Sequence, residues 1–408
     1  AATAAARAGG RALMLRIMAW NIQRFGKGKL TVSPWDVIAA RQEHILNTVM
    51  IANADILVVI EVQTSAAPGF GGLISDTSGG PGVRLLVELL RNRDPAGGWM
   101  LVPPAVLTPV GGYSEGIGVF FRSNRLSFEG PMAWTAAGIA PYQPNVTVTA
   151  QYGRPWETAL PRRASRLGPK QNELAGQYEF LDGAGNLRTF PAGNSRSLWR
   201  TRFYDTQEKR SLDLFAAHFP PRADLAWLAF SKLAGVREVG EALNFREDRV
   251  VLGDFNVNVN SPAAARVFDL LTGGPAIRRA APCPLEYQQL FAAESVTAVK
   301  SVRQASPNGA PNFYRYASHA KSGTRWGFDN AFVAREGRPE ANNQAVINRV
   351  IGTGAYGVDM IATIPEIHAQ WPNSSAARFQ RFNNLVNYGH IGGGRGASDH
   401  LAIVFDLP

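Results

Sequence analysis

The chain has 408 residues, 45% of them hydrophobic and 18% charged, which supplies ample apolar material for a core and excludes disorder or a coiled coil over its bulk. Lys and Arg number 42 against 32 Asp and Glu, and the resulting formal charge of +10 favours a polyanionic partner, either nucleic acid or an anionic lipid surface. A single cysteine, Cys283, excludes internal disulfides and a cysteine zinc cage, and no run of 18 apolar residues offers a membrane-spanning helix.

Residues 1–12, AATAAARAGGRA, carry no apolar h-region and read as a flexible basic tail. From there, short apolar strands alternate with amphipathic helices. LMLRIMAW (13–20) is a strand that runs into a polar turn, Asn21–Gly28. Ser33 and Pro34 then suit the N-cap and first position of a helix whose stripe is Ile38, Ile45, Leu46, Val49 and Met50, ending near Asn53. DILVVIE (55–61) is nearly continuous in apolar residues, as a strand buried on both faces would be. GIGVFFR (116–122), LDLFAAHF (212–219), DRVVLGDFN (248–256), FDNAFVA (328–334) and LAIVFDL (401–407) read as further strands, with helices over 223–245 and 262–271. The Pro/Gly-rich stretch 131–210 and the stretch 335–397 break this rhythm and read as two long insertions into one domain spanning 13–408. Residues 154–210 hold eleven basic and six acidic side chains, half of the chain's excess charge.

Polar groups fall repeatedly where these strands end. Asn21 and Gln23 follow the first strand, and Glu61 closes the second. His218 ends LDLFAAHF, Asp254 and Asn256 end VVLGDFN, Asp329 lies within WGFDNAFV, and Asp399-His400 precedes LAIVFDL. Burying any of these alone costs several kcal/mol, roughly 2–7 for a neutral group and more for a charge. Several strand ends behaving alike point to one convergent site. Three carboxylates, Glu61, Asp254 and Asp399, repel one another unless they share a cation, and oxygen ligands select a hard ion, Mg²⁺ or Mn²⁺. His218 and His400 suit phosphate binding or proton transfer, each with a carboxylate to fix its tautomer, for which Glu115 and Asp329 are the candidates. A cation with paired His–carboxylate groups is equipment for phosphate-ester hydrolysis.

The order WNIQ (20–23), ILVVIE (56–61), SEGIGVFFR (114–122), FAAHFPP (215–221), GDFN (253–256), WGFDNAF (326–332) and SDH (398–400) resembles the endonuclease/exonuclease/phosphatase superfamily, and the pairing of Glu115 with His218 resembles its pancreatic-type deoxyribonuclease branch. The resemblance implies an α/β fold, a four-layer α/β/β/α sandwich of two packed mixed β-sheets flanked by helices, with the site at one edge. It also implies that Glu61 is the principal Mg²⁺ ligand, helped by Asn21 and Asp399. Asp254 would orient or deprotonate the attacking water, and Asn256 would hold that water or the phosphate. His400 braced by Asp329 and His218 braced by Glu115 would grip the phosphate and transfer protons. Gln23 stands where some relatives carry an acid, which bears on a second metal site. Trp326 is a candidate for stacking on a base, with a core tryptophan as the alternative, and Arg395 in GGGRG is a candidate phosphate contact.

The expected activity is that of a Mg²⁺-dependent phosphodiesterase, a nuclease with DNA favoured as partner and substrate. A phosphatase or phospholipase C-type hydrolase of sphingomyelin or inositol phospholipid is the alternative, and a non-catalytic nucleic-acid or protein binding module is the second.

Overall fold

The computed structural model describes residues 14–30, 42, 45–50, 52–64, 74, 79–107, 114–130, 132–135, 138–141, 178–181, 186–190, 196–273, 284–292, 295, 297–302, 313–316, 327–338, 340–347, 398 and 400–408. In chain order the strands are β1 (Leu15–Phe25), β2 (Ile56–Thr64), β3 (Trp99–Val106), β4 (Ser114–Arg122), β5 (Leu126–Gly130), β6 (Met132–Thr135), β7 (Gly138–Pro141), β8 (Tyr178–Leu181), β9 (Leu187–Phe190), β10 (Leu198–Asp205), β11 (Arg210–His218), β12 (Glu247–Asp254), β13 (Gln288–Gln289), β14 (Val299–Val302), β15 (Phe313–Tyr316), β16 (Asp329–Arg335), β17 (Asn342–Ile347) and β18 (Ala402–Leu407). Two six-stranded mixed sheets hold twelve of them, in the orders β17-β18-β1-β2-β4-β3 and β13-β16-β12-β11-β10-β5. The β6–β7, β8–β9 and β14–β15 pairs form separate two-stranded sheets. Within the stretch 131–210, β10 is an interior strand of the second sheet, and within 335–397, β17 is an edge strand of the first.

Strand side chains alternate between faces with period two, and this alternation builds three apolar layers. Ile17, Ala19, Ile56, Val58, Ile117 and Val119 of the first sheet meet Leu212, Leu214, Ala216, Val250, Leu252 and Ala331 of the second in the central core. The alternate residues Met18, Trp20, Leu57, Val59 and Phe120 face outward against Ile45, Leu46 and Val49 and against the helix Gly79–Arg93 through Val83, Leu86, Val87 and Leu90. On the other outer face, Phe215, Val251 and Phe332 pack on the helices Ala223–Leu233 and Pro262–Thr272 through Phe230, Leu233, Ala264 and Phe268. The result is helices, sheet, sheet, helices: the four-layer sandwich. Among the described residues no helix is long and apolar enough to cross a membrane.

Three expectations change in detail. The turn expected from Asn21 is still strand as far as Phe25, because Ile22 and Phe25 are fully buried and hold the chain on the sheet through a register shift. The helix expected over 223–245 ends at Leu233, and a separate one-turn helix, Arg237–Gly240, follows Val236, whose backbone is extended. For the helix expected from Ser33, residues 45–50 are helical, while its Ser33–Pro34 start lies outside the described residues.

Candidate active site

Five strands present to the site a polar residue as the next member of their inward-facing series. Ile17 and Ala19 lead to Asn21, Val119 and Ile117 lead back to Glu115, and Leu214 and Ala216 lead to His218. Val250 and Leu252 lead to Asp254, and Val333 and Ala331 lead back to Asp329. The register sets them side by side: His218 is the partner of Asp254 across β11–β12, and Asp254 is the partner of Asp329 across β12–β16. Neighbouring strands lie about 4.8 Å apart, so these three side chains form one row at the end of the sandwich.

Glu61 reaches the same row by a backbone irregularity. Ile60 faces the central core and Val62 the outer layer, with Glu61 between them at a left-handed φ of 64° and the β2–β4 register shifting between Val59 and Val62. Left-handed backbone at a non-glycine residue costs roughly 1–3 kcal/mol and persists only where the surroundings enforce it. The Arg24 N–H, on the matching bulge of β1 and itself at φ 51°, donates to Glu61 Oε2 at 2.9 Å. Paired bulges on adjacent strands thus turn the carboxylate inward.

The turn after β12 is pinned just as firmly. Gly253 has φ 147°, and a Cβ there would overlap the Ala217 carbonyl oxygen and lie 2.8 Å from its carbon, so glycine alone lets β12 approach β11 this closely. Phe219 and Phe255, next to His218 and Asp254, are fully buried and pack edge-on at 5.4 Å. The Phe219 N–H donates to the Asp254 carbonyl at 2.9 Å and the Phe255 N–H to the Phe328 carbonyl at 3.0 Å. The aromatic layer therefore fixes the loops that carry the polar row.

Asp254 is the hub. It is 1% exposed, and its carboxylate accepts from Asn21 Nδ2 at 2.9 Å and from the Asn256 N–H at 3.0 Å. The Nε2 atoms of His218 and of His400 each lie 3.6 Å from Asp254 Oδ2. Behind each imidazole stands a second carboxylate: His218 Nδ1 is 2.6 Å from Glu115 Oε1, and His400 Nδ1 is 2.7 Å from Asp329 Oδ2. Both histidines therefore turn Nε2 toward one point. Asn256, at φ 51°, also donates through Nδ2 to the Phe219 carbonyl at 2.8 Å.

Electrostatics follow from this packing. Burial alone would raise the Asp254 pKa, but the imidazoles of His400 and His218 and the hydrogen bonds from Asn21 and Asn256 outweigh it and hold the carboxyl below its ordinary range. For His218, burial acts downward, and the Glu115 carboxylate overrides it and holds the imidazole above its ordinary value. Asp329 is raised by burial, which its contacts with His400 offset only in part.

The donor set suits a hard cation. Asn21 Nδ2 donates to both Glu61 Oε1, at 3.0 Å, and Asp254, which leaves Asn21 Oδ1 buried without a hydrogen-bond partner. An unpartnered buried carbonyl oxygen beside a carboxylate fits a hard divalent cation, which takes oxygen ligands. Atoms of Glu61, Glu115 and His218 lie within 4.8 Å of one another, as do those of Asp254, Asp329 and His400.

Of the residues singled out in the sequence, Asn21, Glu61, Glu115, His218, Asp254, Asn256, Asp329 and His400 meet at this one rim, whereas Asp399, Trp326 and Arg395 lie outside the described residues. Two contributors escaped the sequence reading. Arg196 Nη1 is 3.1 Å from Glu115 Oε1 and donates to the Phe219 carbonyl at 3.1 Å, so it joins the His218 brace to the Asn256 anchor. Ser398 donates to the Asn21 carbonyl and accepts the His400 N–H at 2.9 Å, while Trp20 Nε1 donates to the His400 carbonyl at 2.9 Å. Arg196 had no signal beyond the basic character of its segment; Ser398 could have been found from SDH, since a serine two residues before a site histidine is placed to cap its N–H.

No family model matches the sequence, and no curated protein matches it. Among solved structures, the chain is similar to D. rerio TDP2 complexed with a single-strand DNA product, with 12% identity and a TM-score of 0.43 over 97% of this chain and 98% of that one. It is similar to the endonuclease/exonuclease/phosphatase from Bacteroides vulgatus, with 13% identity and a TM-score of 0.42 over 97% and 98%. It is also similar to an endonuclease/exonuclease/phosphatase family protein from Leptotrichia buccalis, with 10% identity and a TM-score of 0.43 over 97% and 99%. The last two bear the family name that the sequence motifs resemble.

Proposed function

We propose that this chain is a divalent-metal-dependent phosphoesterase of the endonuclease/exonuclease/phosphatase type, and that its substrate is a nucleic-acid phosphodiester, DNA before RNA. The observation that carries the reading is the convergence of two His–carboxylate pairs on Asp254, next to the Glu61–Asn21 pair with its open amide oxygen. Bound by Glu61 and Asn21, with Asp399 as the remaining candidate ligand, Mg²⁺ or Mn²⁺ would supply Lewis-acid stabilisation of charge developing on the phosphate. Asp254, ionised at neutral pH, orients the attacking water and accepts its proton as the new P–O bond forms, while the P–O bond opposite breaks and its leaving oxygen takes a proton from an imidazolium Nε2–H of the His218–His400 pair. His400 and His218 offer Nε2–H donors to non-bridging phosphate oxygens, an arrangement aimed where negative charge grows. Glu115 and Asp329 accept the Nδ1–H of their rings, so a ring that donates Nε2–H to the phosphate does so as the imidazolium, which the paired carboxylate stabilises. The net charge of +10 supports a polyanionic substrate over a neutral headgroup ester such as sphingomyelin.

The test is incubation of purified protein with supercoiled plasmid, single-stranded RNA and sphingomyelin vesicles, each with Mg²⁺ and with excess chelator. Mg²⁺-dependent nicking of plasmid is expected. Hydrolysis of sphingomyelin alone would transfer the site to the phospholipase alternative, and hydrolysis of none of the three would refute the phosphodiesterase reading.

A further inference from the structure

Thr297 belongs to no motif in the sequence, yet it is fully buried and touches both segments that carry one of the two imidazole pairs. Its Oγ1 accepts the N–H groups of Phe328, at 3.0 Å, and Asp329, at 3.1 Å. Its own carbonyl accepts the Leu401 N–H at 2.7 Å, and the next residue, Ala298, forms an antiparallel bridge with His400. One side chain therefore sets the backbone at the start of β16, from which the Asp329 carboxylate projects, while the same residue's main chain holds the segment after His400. His400 lies outside regular strand, so its ring direction depends on these attachments and on the 2.7 Å contact with Asp329.

We propose that Thr297 is a positioning residue for His400, acting through Asp329: its Oγ1 anchors the Asp329 N–H and so sets the carboxylate that meets His400 Nδ1, which points Nε2 at the phosphate. The inference rests on the reading of the Asp329–His400 pair as part of a phosphoesterase site. Geometry of this kind is steep in rate, because a displacement of about 1 Å at a reacting group can cost about 10²-fold. Thr→Val keeps the shape of the side chain and removes the hydroxyl; Thr→Ser keeps the hydroxyl and removes a methyl.

The test compares Thr297→Val and Thr297→Ser in Mg²⁺-dependent hydrolysis of bis(p-nitrophenyl) phosphate, alongside ¹H–¹⁵N spectra of histidine-labelled protein in which the His400 Nδ1–H signal is identified by its loss in His400→Gln. In the Val variant kcat should fall about 10–100-fold with KM within about twofold, the fall expected from a misplaced reacting group. The His400 Nδ1–H signal should broaden or vanish, and the Ser variant should restore both. Should the Val variant not fold, Thr297→Cys, with a weaker acceptor of similar size, takes its place with an intermediate loss expected. A fall in kcat that Ser does not restore, or an unchanged His400 signal in the folded Val or Cys variant, overturns the proposal. A wild-type protein that hydrolyses no phosphate ester defeats the functional reading instead, and the His400 signal still decides the role of Thr297.

Discussion

Replacing Asp254 by Asn removes the hub while changing almost no volume, and the two consequences differ in size. The carboxylate accepts from Asn21 Nδ2 at 2.9 Å and from the Asn256 N–H at 3.0 Å through different oxygens. An amide presents one donor in place of one acceptor, so either orientation opposes a donor to one of these donors. A buried donor left without an acceptor costs about 1–3 kcal/mol. Against a typical total of about 5–15 kcal/mol, that loss leaves nearly all molecules folded and lowers the thermal midpoint by several degrees. Loss of the proton acceptor costs about 10²–10⁴-fold in rate, or about 2.7–5.4 kcal/mol of barrier at 1.36 kcal/mol per decade. The chemical effect therefore exceeds anything the folded fraction explains. The assay is Mg²⁺-dependent hydrolysis of bis(p-nitrophenyl) phosphate at saturating substrate, with circular dichroism to establish the folded fraction. Turnover within about threefold of wild type in a folded Asp254→Asn protein would refute the assignment of the hub.

Two further predictions concern the scaffold. Gly253→Ala places a methyl against the Ala217 carbonyl in a backbone conformation that L side chains rarely adopt, so the β11–β12 register must break; loss of the cooperative thermal transition, or a midpoint more than about 10 °C lower, is expected from clash added to strain of about 1–3 kcal/mol, and a midpoint within 2–3 °C of wild type, roughly the shift of a single kcal/mol, contradicts it. Asp213 is fully buried; burial acts to raise its pKa, and Arg200 at 2.7 Å and Arg202 at 3.0 Å override that and hold it below the ordinary range. Because the folded-state pKa is the lower one, its stabilisation is complete above the unfolded value near 3.9 and is lost as pH falls through the folded value. Asp213→Asn should therefore cost about 3–5 kcal/mol near neutral pH, with the gap to wild type closing below about pH 4; chemical denaturation at pH 7 and pH 3 showing the same gap would contradict the sign.

Much of the site was legible because the inward series of a strand is readable at period two. Ile17, Ala19 and Asn21, or Leu214, Ala216 and His218, show an apolar column ending in a polar group, and several such endings imply a common rim. Chemistry gave Glu115 and Asp329 as candidate partners, since each imidazole needs an acceptor for its second nitrogen; which carboxylate braces which histidine followed from the family resemblance. Other features follow no period. Glu61 faces inward only because φ 64° shifts the phase of β2 after Ile60. The helix Gly79–Arg93 had no place in the sequence reading and opens on Gly-Gly-Pro-Gly, residues of poor helix propensity; in the fold Gly79 and Gly82 lie where a Cβ would overlap the Gln63 carbonyl and press on Gly26, so these glycines are packing requirements. Arg196 and Thr297 act from connections between strands, where spacing carries no signal and tertiary contact decides.

Crystals soaked in Mn²⁺ and measured at the manganese absorption edge would test the central claim most directly. The account predicts an anomalous peak within coordination distance of Glu61 and of Asn21 Oδ1, at the rim shared by both sheets, and loss of that peak in Glu61→Gln. A peak elsewhere, or one that persists unchanged in Glu61→Gln, would contradict the proposed metal centre and with it the phosphoesterase mechanism.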